Sequence, residues 1–506
     1  MKHKIDPSQN SLFDPERQHF GRIGYRRIEN GWQGIFRSAL LELMPADELA
    51  EAFSDDTGRP TKELYAMAGL QVIAEMRGWT AQDAADAYMF DQSVQFALNV
   101  GHCEVDLSYR TVERYQRLFR ERELAQEVFE RVTRRLAEKL ELQVDQQRLD
   151  STHLFSNMAM LSRTQLMAVC IRRFLVQLKR HHNGEYAGLD AEVRERCMLS
   201  DKRLFSQTPP EGEARARLRQ RVAEDLLMLI DRFAAQPRIV VMTSYKAMVR
   251  VFHEQCEVVG EKVALRQKTG GRTMQNPSDP DATYDGHKGK GYQLQLAETC
   301  HPDNPVQLIT CAIPQTAADE DGDALPLVVA RLEQTGLSPS EILADTLYGS
   351  DDNQQLCEGQ GIDLVAPVRG PAPRKNQFPV TDKQRRLALR RAAEKTEAWQ
   401  QRYRPRAGIE GTNSGLKRRM ELGRLRVRGR KSVFNVVWLK VTGWNIFRAV
   451  AAVARRKKVA VQAGFTAYQT AFQRRLAAYG QVRYPFGTEN SLFSGGQEIA
   501  IGLFAA

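Results

Sequence analysis

The sequence predicts an α/β protein with a helical amino-terminal domain and an all-α insertion. Three observations lead there. Short apolar strand-like runs alternate with helical ones between residues 291 and 366. Apolar residues recur at helical spacing through most of Leu40 to Leu140, and the stretch from Leu161 to about Gln236 is helical and charged, with no strand pattern.

Residues 1–37 are polar, Gly-containing and Arg-rich, and read as an irregular arm. Leu64, Met67, Ala68, Leu70 and Val72 line one helix face, and Gly78-Trp79-Thr80 punctuates the chain after it. Ser108 caps a further helix through Val112, Tyr115 and Phe119, whose other face carries Arg110, Arg114, Arg117 and Arg120. That face suits DNA or plain solvent equally. Leu140 to Asp150 reads as a strand despite weak alternation. Thr269 to Lys290 is a Gly/Asn/Pro/Asp-rich loop. Gly291 to Cys300 and Val306 to Ile313, joined by His301-Pro302-Asp303-Asn304-Pro305, predict a β-hairpin. Helices over Pro326–Gln334 and Asp352–Glu358 then alternate with short strands over Glu341–Ala344 and Ile362–Ala366. Pro371 to Trp399 is a basic, mainly helical connection. The implied division is 1–139, helical; 140–160 with 281–450, the α/β core; 161–280, the insertion; and 451–506, a tail.

Composition narrows the function. The 506 residues hold 73 Lys+Arg against 62 Asp+Glu, a net charge of +11. Seven Cys without a C-x-x-C pair argue against a disulfide framework or a Cys-based zinc site, and suggest a reduced, cytosolic chain. Lys440 and Arg448 break the most apolar stretch, Val433 to Ala454, and the amino terminus lacks a signal-peptide core, so neither membrane spanning nor secretion is expected. The charge is concentrated. Arg402 to Lys431 holds eleven bases against Glu410 and Glu421, a local +9, whereas Leu41 to Asp106 holds thirteen acids against three bases. A polyanion is therefore expected near residue 410.

Three acids stand out. Asp150 and Asp345 each end a predicted strand, and Glu410 sits inside the basic stretch. Strand-end side chains of an α/β sheet converge on one edge, and three carboxylates offer the hard oxygens that Mg²⁺ prefers. Each Asp also suits a turn or helix cap. Glu410 is more distinctive: at about 100° per residue, Tyr403, Arg406 and Lys417 share its helix face, with Pro405 confined to the first turn. Gly408, Gly411 and Gly415 weaken that helix, which makes sense where its backbone must approach the sheet or nucleic acid closely; the alternative is a surface helix with an ordinary Arg–Glu ion pair. His153 reads as a polar turn residue, Lys288 as part of a solvated loop, and Trp399, Trp438 and Trp444 as core.

The spacing Tyr403-x2-Arg406-x3-Glu410-x6-Lys417 resembles the YREK signature of DDE transposases encoded by bacterial insertion sequences, and Asp150 and Asp345 resemble that family's two aspartates. The resemblance implies a ribonuclease-H-like core in which Asp150, Asp345 and Glu410 hold two Mg²⁺ ions, or Mn²⁺ in their place. It implies DNA cleavage at the element's ends, followed by attack of the freed 3′-hydroxyl on target DNA. Tyr403, Arg406 and Lys417 would grip phosphates, with Arg418, Arg419, Arg424, Arg426 and Arg428 tracking the backbone of double-stranded DNA, both terminal inverted repeats and target. A homodimer on DNA, in the bacterial cytoplasm at the nucleoid, follows from pairing two ends. A nuclease without strand transfer and a non-catalytic DNA-binding relative are the alternatives. Only 65 residues separate Asp345 from Glu410, too few for the β-rich insertion that family members often carry there.

Overall fold

The computed structural model describes residues 2–7, 15–100, 105–198, 212–260, 262–371 and 381–480. Cys103, residues 199–211 of the expected insertion, 372–380 of the basic connection and the Gly/Ser-rich end of the tail lie outside the described residues. Met1–Ala451 forms one compact unit and Ala452–Ala506 a second.

Residues 15–35 form helices rather than an irregular arm: Pro15–Glu29, kinked at Gly21, and Trp32–Ile35. The Ser108 hydroxyl accepts the Thr111 N–H at 3.3 Å and caps α1 (Tyr109–Glu121), which buries Val112, Tyr115 and Phe119.

The sheet is mixed. Strand β1 (Gln146–Leu154) starts and ends later than the sequence predicts, so Asp150 lies at its middle and not its end. Alternation is weak because both faces of this strand are covered, which removes the period-2 signal. Helices α2 (Arg163–His181), α3 (Glu213–Phe233) and α4 (Thr243–Gln255) follow, and enclose their own core around Phe174, Leu226, Phe233 and Met248. The insertion is not all-α, since β2 (Cys256–Val259) and β3 (Lys262–Leu265) pair as an antiparallel hairpin. The Gly/Asn-rich loop contains β4 (Thr283–Asp285), paired with the start of β5 (Gly289–Thr299). The expected hairpin of β5 with β6 (Ile309–Thr316) forms, followed by α5 (Leu325–Thr335), β7 (Glu341–Leu343), α6 (Asp351–Gly359) and β8 (Asp363–Val365).

The order is β4-β5-β1-β7-β8, with β6 also on β5. β1 is antiparallel to β5 and parallel to β7, and β7 is parallel to β8. Because side chains alternate along a strand, Leu149 and its cross-strand partner Ala297 face a core shared with α5 and α6. Arg148, Asp150 and Glu298 face the opposite side.

The predicted single helix over 403–417 is three pieces. Tyr403 ends α7 (Glu397–Tyr403), Arg404–Ala407 is a 3₁₀ turn containing Pro405, and α8 (Gly408–Arg419) carries Glu410 and Lys417. Pro405 supplies no N–H and cannot sit inside an α-helix, hence the break. The final helix, α9 (Arg430–Gly480), includes a stretch, Arg430–Arg456, long and apolar enough to cross a membrane by length and composition, against the sequence expectation; 67% of its most apolar window is buried in the fold. Lys440 lies there as a buried partner of Glu75, 3.5 Å away.

Candidate active site

Helix α8 is held against the sheet by a buried charge. Arg148 on β1 donates to Glu298 on β5 through Nε (2.8 Å) and Nη2 (2.5 Å), and its Nη1 donates to the Pro405 carbonyl (2.9 Å). The side chain of Glu298 is fully buried, and Thr412 on α8 donates to its second oxygen at 2.7 Å. Gly408 allows this approach, and Gly415 allows that of α9. A Cβ on Gly408 would lie 1.9 Å from Arg148 Nη1, and one on Gly415 would lie 2.3 Å from the Trp444 ring; Gly411 faces open space.

β7 and its loop deliver the second acid. The parallel register pairs Arg148 with Leu343. Continued two residues on, it sets Asp150 beside Asp345, where β7 has ended. One Asp345 oxygen accepts the Leu347 N–H at 2.8 Å, capping the 3₁₀ turn Thr346–Tyr348, and leaves the other for the site. Gly349 permits that turn, since a Cβ there would meet the Pro367 carbonyl at 1.9 Å.

The three predicted acids meet around one guanidinium. Arg406 Nη2 lies 3.3 Å from Asp150 Oδ1 and 3.9 Å from Asp345 Oδ2, and its Nη1 lies 3.3 Å from Glu410 Oε1. Side-chain exposure grades from 14% for Asp150 to 29% for Asp345 and 70% for Glu410. The acids thus surround Arg406 rather than a common point. Among the described residues, no group of three or more His, Cys, Asp or Glu is placed to hold a metal ion. Burial raises the Asp150 carboxyl above its ordinary range, Arg406 and the Ser151 N–H pull it down, and the charges of Asp345 and Asp321 push it up. Asn413, one turn beyond Glu410, donates to Asp150 Oδ2 at 3.1 Å.

The other basic residues divide. Tyr403 stacks on Trp399, centroids 4.8 Å apart, and both pack against Cys300, Leu343 and Val365; burial raises the Tyr403 hydroxyl. Lys417 is lowered by desolvation and raised by the nearby charge of Asp150. Arg418 donates to Ser414 at 2.7 Å. Arg426 is tied to Glu421 (3.0 Å) and to the Gly78 carbonyl (2.9 Å). Arg419, Arg424 and Arg428 are exposed, with no acidic partner among the described residues. Arg402 is consumed by Glu341 and Asp363.

Sequence reasoning missed a second charged cluster on the other face of β1. Lys288 is not a solvated loop residue: its ammonium sits 2.6 Å from Asp321 Oδ2 and also donates to Ser151 (2.8 Å) and Gln293 (2.9 Å). Ser151 and Gln295 donate to Asp321 as well, and the Tyr348 hydroxyl donates to Gln295. Nothing in the spacing of Lys288 and Asp321 marks them; only the hairpin brings them together. His153 is a buried strand residue rather than a turn, with a ring nitrogen 3.1 Å from the Lys290 carbonyl, and burial lowers its pKa.

A mixed sheet whose central strand and parallel neighbour bring two aspartates side by side, faced by a helix bearing a glutamate, defines an acid-centred site bordered by basic residues. Residues 368–450 match the family model described as Transposase DDE domain, which supports a DDE transposase family. That segment contains Tyr403, Arg406, Glu410, Asn413 and Lys417, and neither aspartate. Among curated proteins and solved structures, none matches the chain.

Proposed function

We propose that the chain is a DDE transposase that cuts DNA at the ends of a bacterial insertion sequence and joins the freed 3′-hydroxyl to target DNA. The observation that carries this reading is the convergence of Asp150 and Asp345 on Arg406 and Glu410, the latter two within the basic region that the family match covers. The strand directions, and the placement of Asp150 on β1 beside Asp345 just past the end of the parallel strand β7, support a ribonuclease-H-like core.

By its chemistry, and once Arg406 is withdrawn from among the acids, the donor set fits divalent cations of the Mg²⁺ class. Its three carboxylates are hard oxygen donors, and a cationic guanidinium stands among them where opposite charge is needed. Asp150, Asp345 and Glu410 would hold two ions, Mg²⁺ or Mn²⁺. When bound, these would supply Lewis-acid stabilisation of the attacking and leaving oxygens. To join the aspartates on a metal, Glu410, whose side chain is 70% exposed, would have to turn away from Arg406. Arg406 would then be released toward a phosphate, for which its planar fork is suited. Lys417 beside Asp150, with Arg418, Arg419, Arg424 and Arg428 open to solvent, would follow the DNA backbone. Tyr403, packed on Trp399, would border the strand being cut. The reading implies double-stranded DNA as partner, a homodimer pairing two element ends, and a place at the nucleoid.

The test is incubation of the protein with Mg²⁺ and duplex DNA from the borders of its own gene. Cleavage with strand joining is expected; cleavage alone would indicate a nuclease, and a salt-sensitive shift alone a binding protein. Glu410→Gln should abolish cutting and keep DNA binding, because it removes a carboxylate and no base. Undiminished cleavage by that variant would remove Glu410 from the site.

A further inference from the structure

Asn413 faces the same way as the signature residues. Glu410, Asn413 and Lys417 fall at intervals of three and four, the spacing of one face of α8, with Arg406 in the 3₁₀ turn just before it. Its neighbour Thr412 points to the sheet and donates to the buried Glu298, which fixes the rotation of α8 and so the direction of Asn413.

Asp150 divides its two oxygens between these elements. Oδ1 faces Arg406 and Oδ2 accepts from Asn413 Nδ2 at 3.1 Å. This contact sets the amide's orientation, because turning it over would place carbonyl against carboxylate. The Asn413 Oδ1 atom is then left buried without a hydrogen-bond partner. An unmet buried acceptor costs about 1–3 kcal/mol. An amide oxygen held beside a carboxylate, with no donor of its own, is a natural ligand for a hard cation.

We infer that Asn413 is a further member of the acid site. Its N–H positions Asp150, and its Oδ1 is a neutral oxygen ligand for the divalent cation that Asp150 holds. The inference rests on the reading of Asp150, Asp345 and Glu410 as a metal-holding site, and adds a residue that the four-residue signature does not contain.

The test is Mn²⁺ binding to the full-length protein without DNA, followed by electron paramagnetic resonance, with thermal unfolding of the metal-free protein in parallel. Asn413→Ala should weaken Mn²⁺ binding by about 10–100-fold, the range for residues that orient a metal ligand, while the metal-free unfolding temperature stays within a few degrees of wild type. Asn413→Asp, which keeps an oxygen at this position, should recover at least part of the loss. Undiminished binding by Asn413→Ala, or equal losses in the Ala and Asp variants, would overturn the role of the amide oxygen. Wild type that binds no Mn²⁺, or Asp150→Asn that binds it as well as wild type, would overturn the reading of the site itself.

Discussion

Replacing Arg148 by Ala should be among the most damaging single changes in the sheet. The substitution removes two charge-assisted hydrogen bonds to Glu298 and one to the Pro405 carbonyl. It leaves a fully buried carboxylate with Thr412 as its remaining side-chain donor. Breaking a buried pair from one side costs about 3–5 kcal/mol, because the abandoned charge cannot return to water. Each 1.4 kcal/mol is about tenfold in the equilibrium constant, so the ratio of folded to unfolded protein should fall by roughly two to three and a half orders of magnitude. Urea denaturation measures this, with tryptophan fluorescence as one probe, since Trp444 packs against Gly415 on α8. The second arm is Glu298→Gln in the Arg148→Ala background. A neutral amide can be buried at smaller cost, so the double variant should be more stable than Arg148→Ala by about 1–3 kcal/mol. An Arg148→Ala cost below about 1 kcal/mol, or a double variant no better than the single one, would refute the claim that this pair docks α8.

The glycines of α8 should separate in sign. Gly411→Ala, with open space around it, should stabilise by up to about 1 kcal/mol through helix propensity. Gly415→Ala, driven into Trp444, should destabilise by about 1–3 kcal/mol; denaturant midpoints of the two variants check both. The six cysteines among the described residues should be inert in the folded protein. Burial pushes the thiols of Cys170, Cys197, Cys300, Cys311 and Cys357 up to about 12 and that of Cys256 to about 11. At pH 8 all six should be protonated and escape iodoacetamide until denaturant is added. Mass spectrometry of the labelled peptides would show this, and rapid native labelling at any of the six would contradict it.

Much of the sheet and its helices was legible because each has a local signal. The hairpin of β5 and β6 announces itself by alternation and a Pro/Asp/Asn turn, and α5, β7, α6 and β8 lie within a residue or two of their predicted limits. β1 was misplaced because its residues are covered on both faces, so Gln147 and Thr152 are as buried as Leu149. The β2–β3 hairpin was missed because strands of four residues are too short to show a period.

The site was legible in part for similar reasons. Glu410, Arg406 and Lys417 are near one another in sequence, so helical periodicity relates them even though a 3₁₀ turn interrupts the helix. The meeting of Asp150 with Asp345 needed the parallel register, which no spacing encodes. Asn413 and the Lys288–Asp321 pair are ordinary polar residues in sequence. Asn413 meets a strand residue more than a hundred positions away, and Lys288 and Asp321 meet at the open end of the β5–β6 hairpin. The concentration of charge overstated the free basic surface, because Arg402, Arg406 and Arg426 already have acidic partners.

Crystals of the protein with Mn²⁺ and cleaved end DNA, measured at the manganese absorption edge, would test the central claim most directly. Anomalous density is expected between the carboxylates of Asp150, Asp345 and Glu410, with the Arg406 guanidinium moved onto a phosphate. Manganese bound elsewhere, with Arg406 still among the three acids while cut DNA lies in place, would contradict the account.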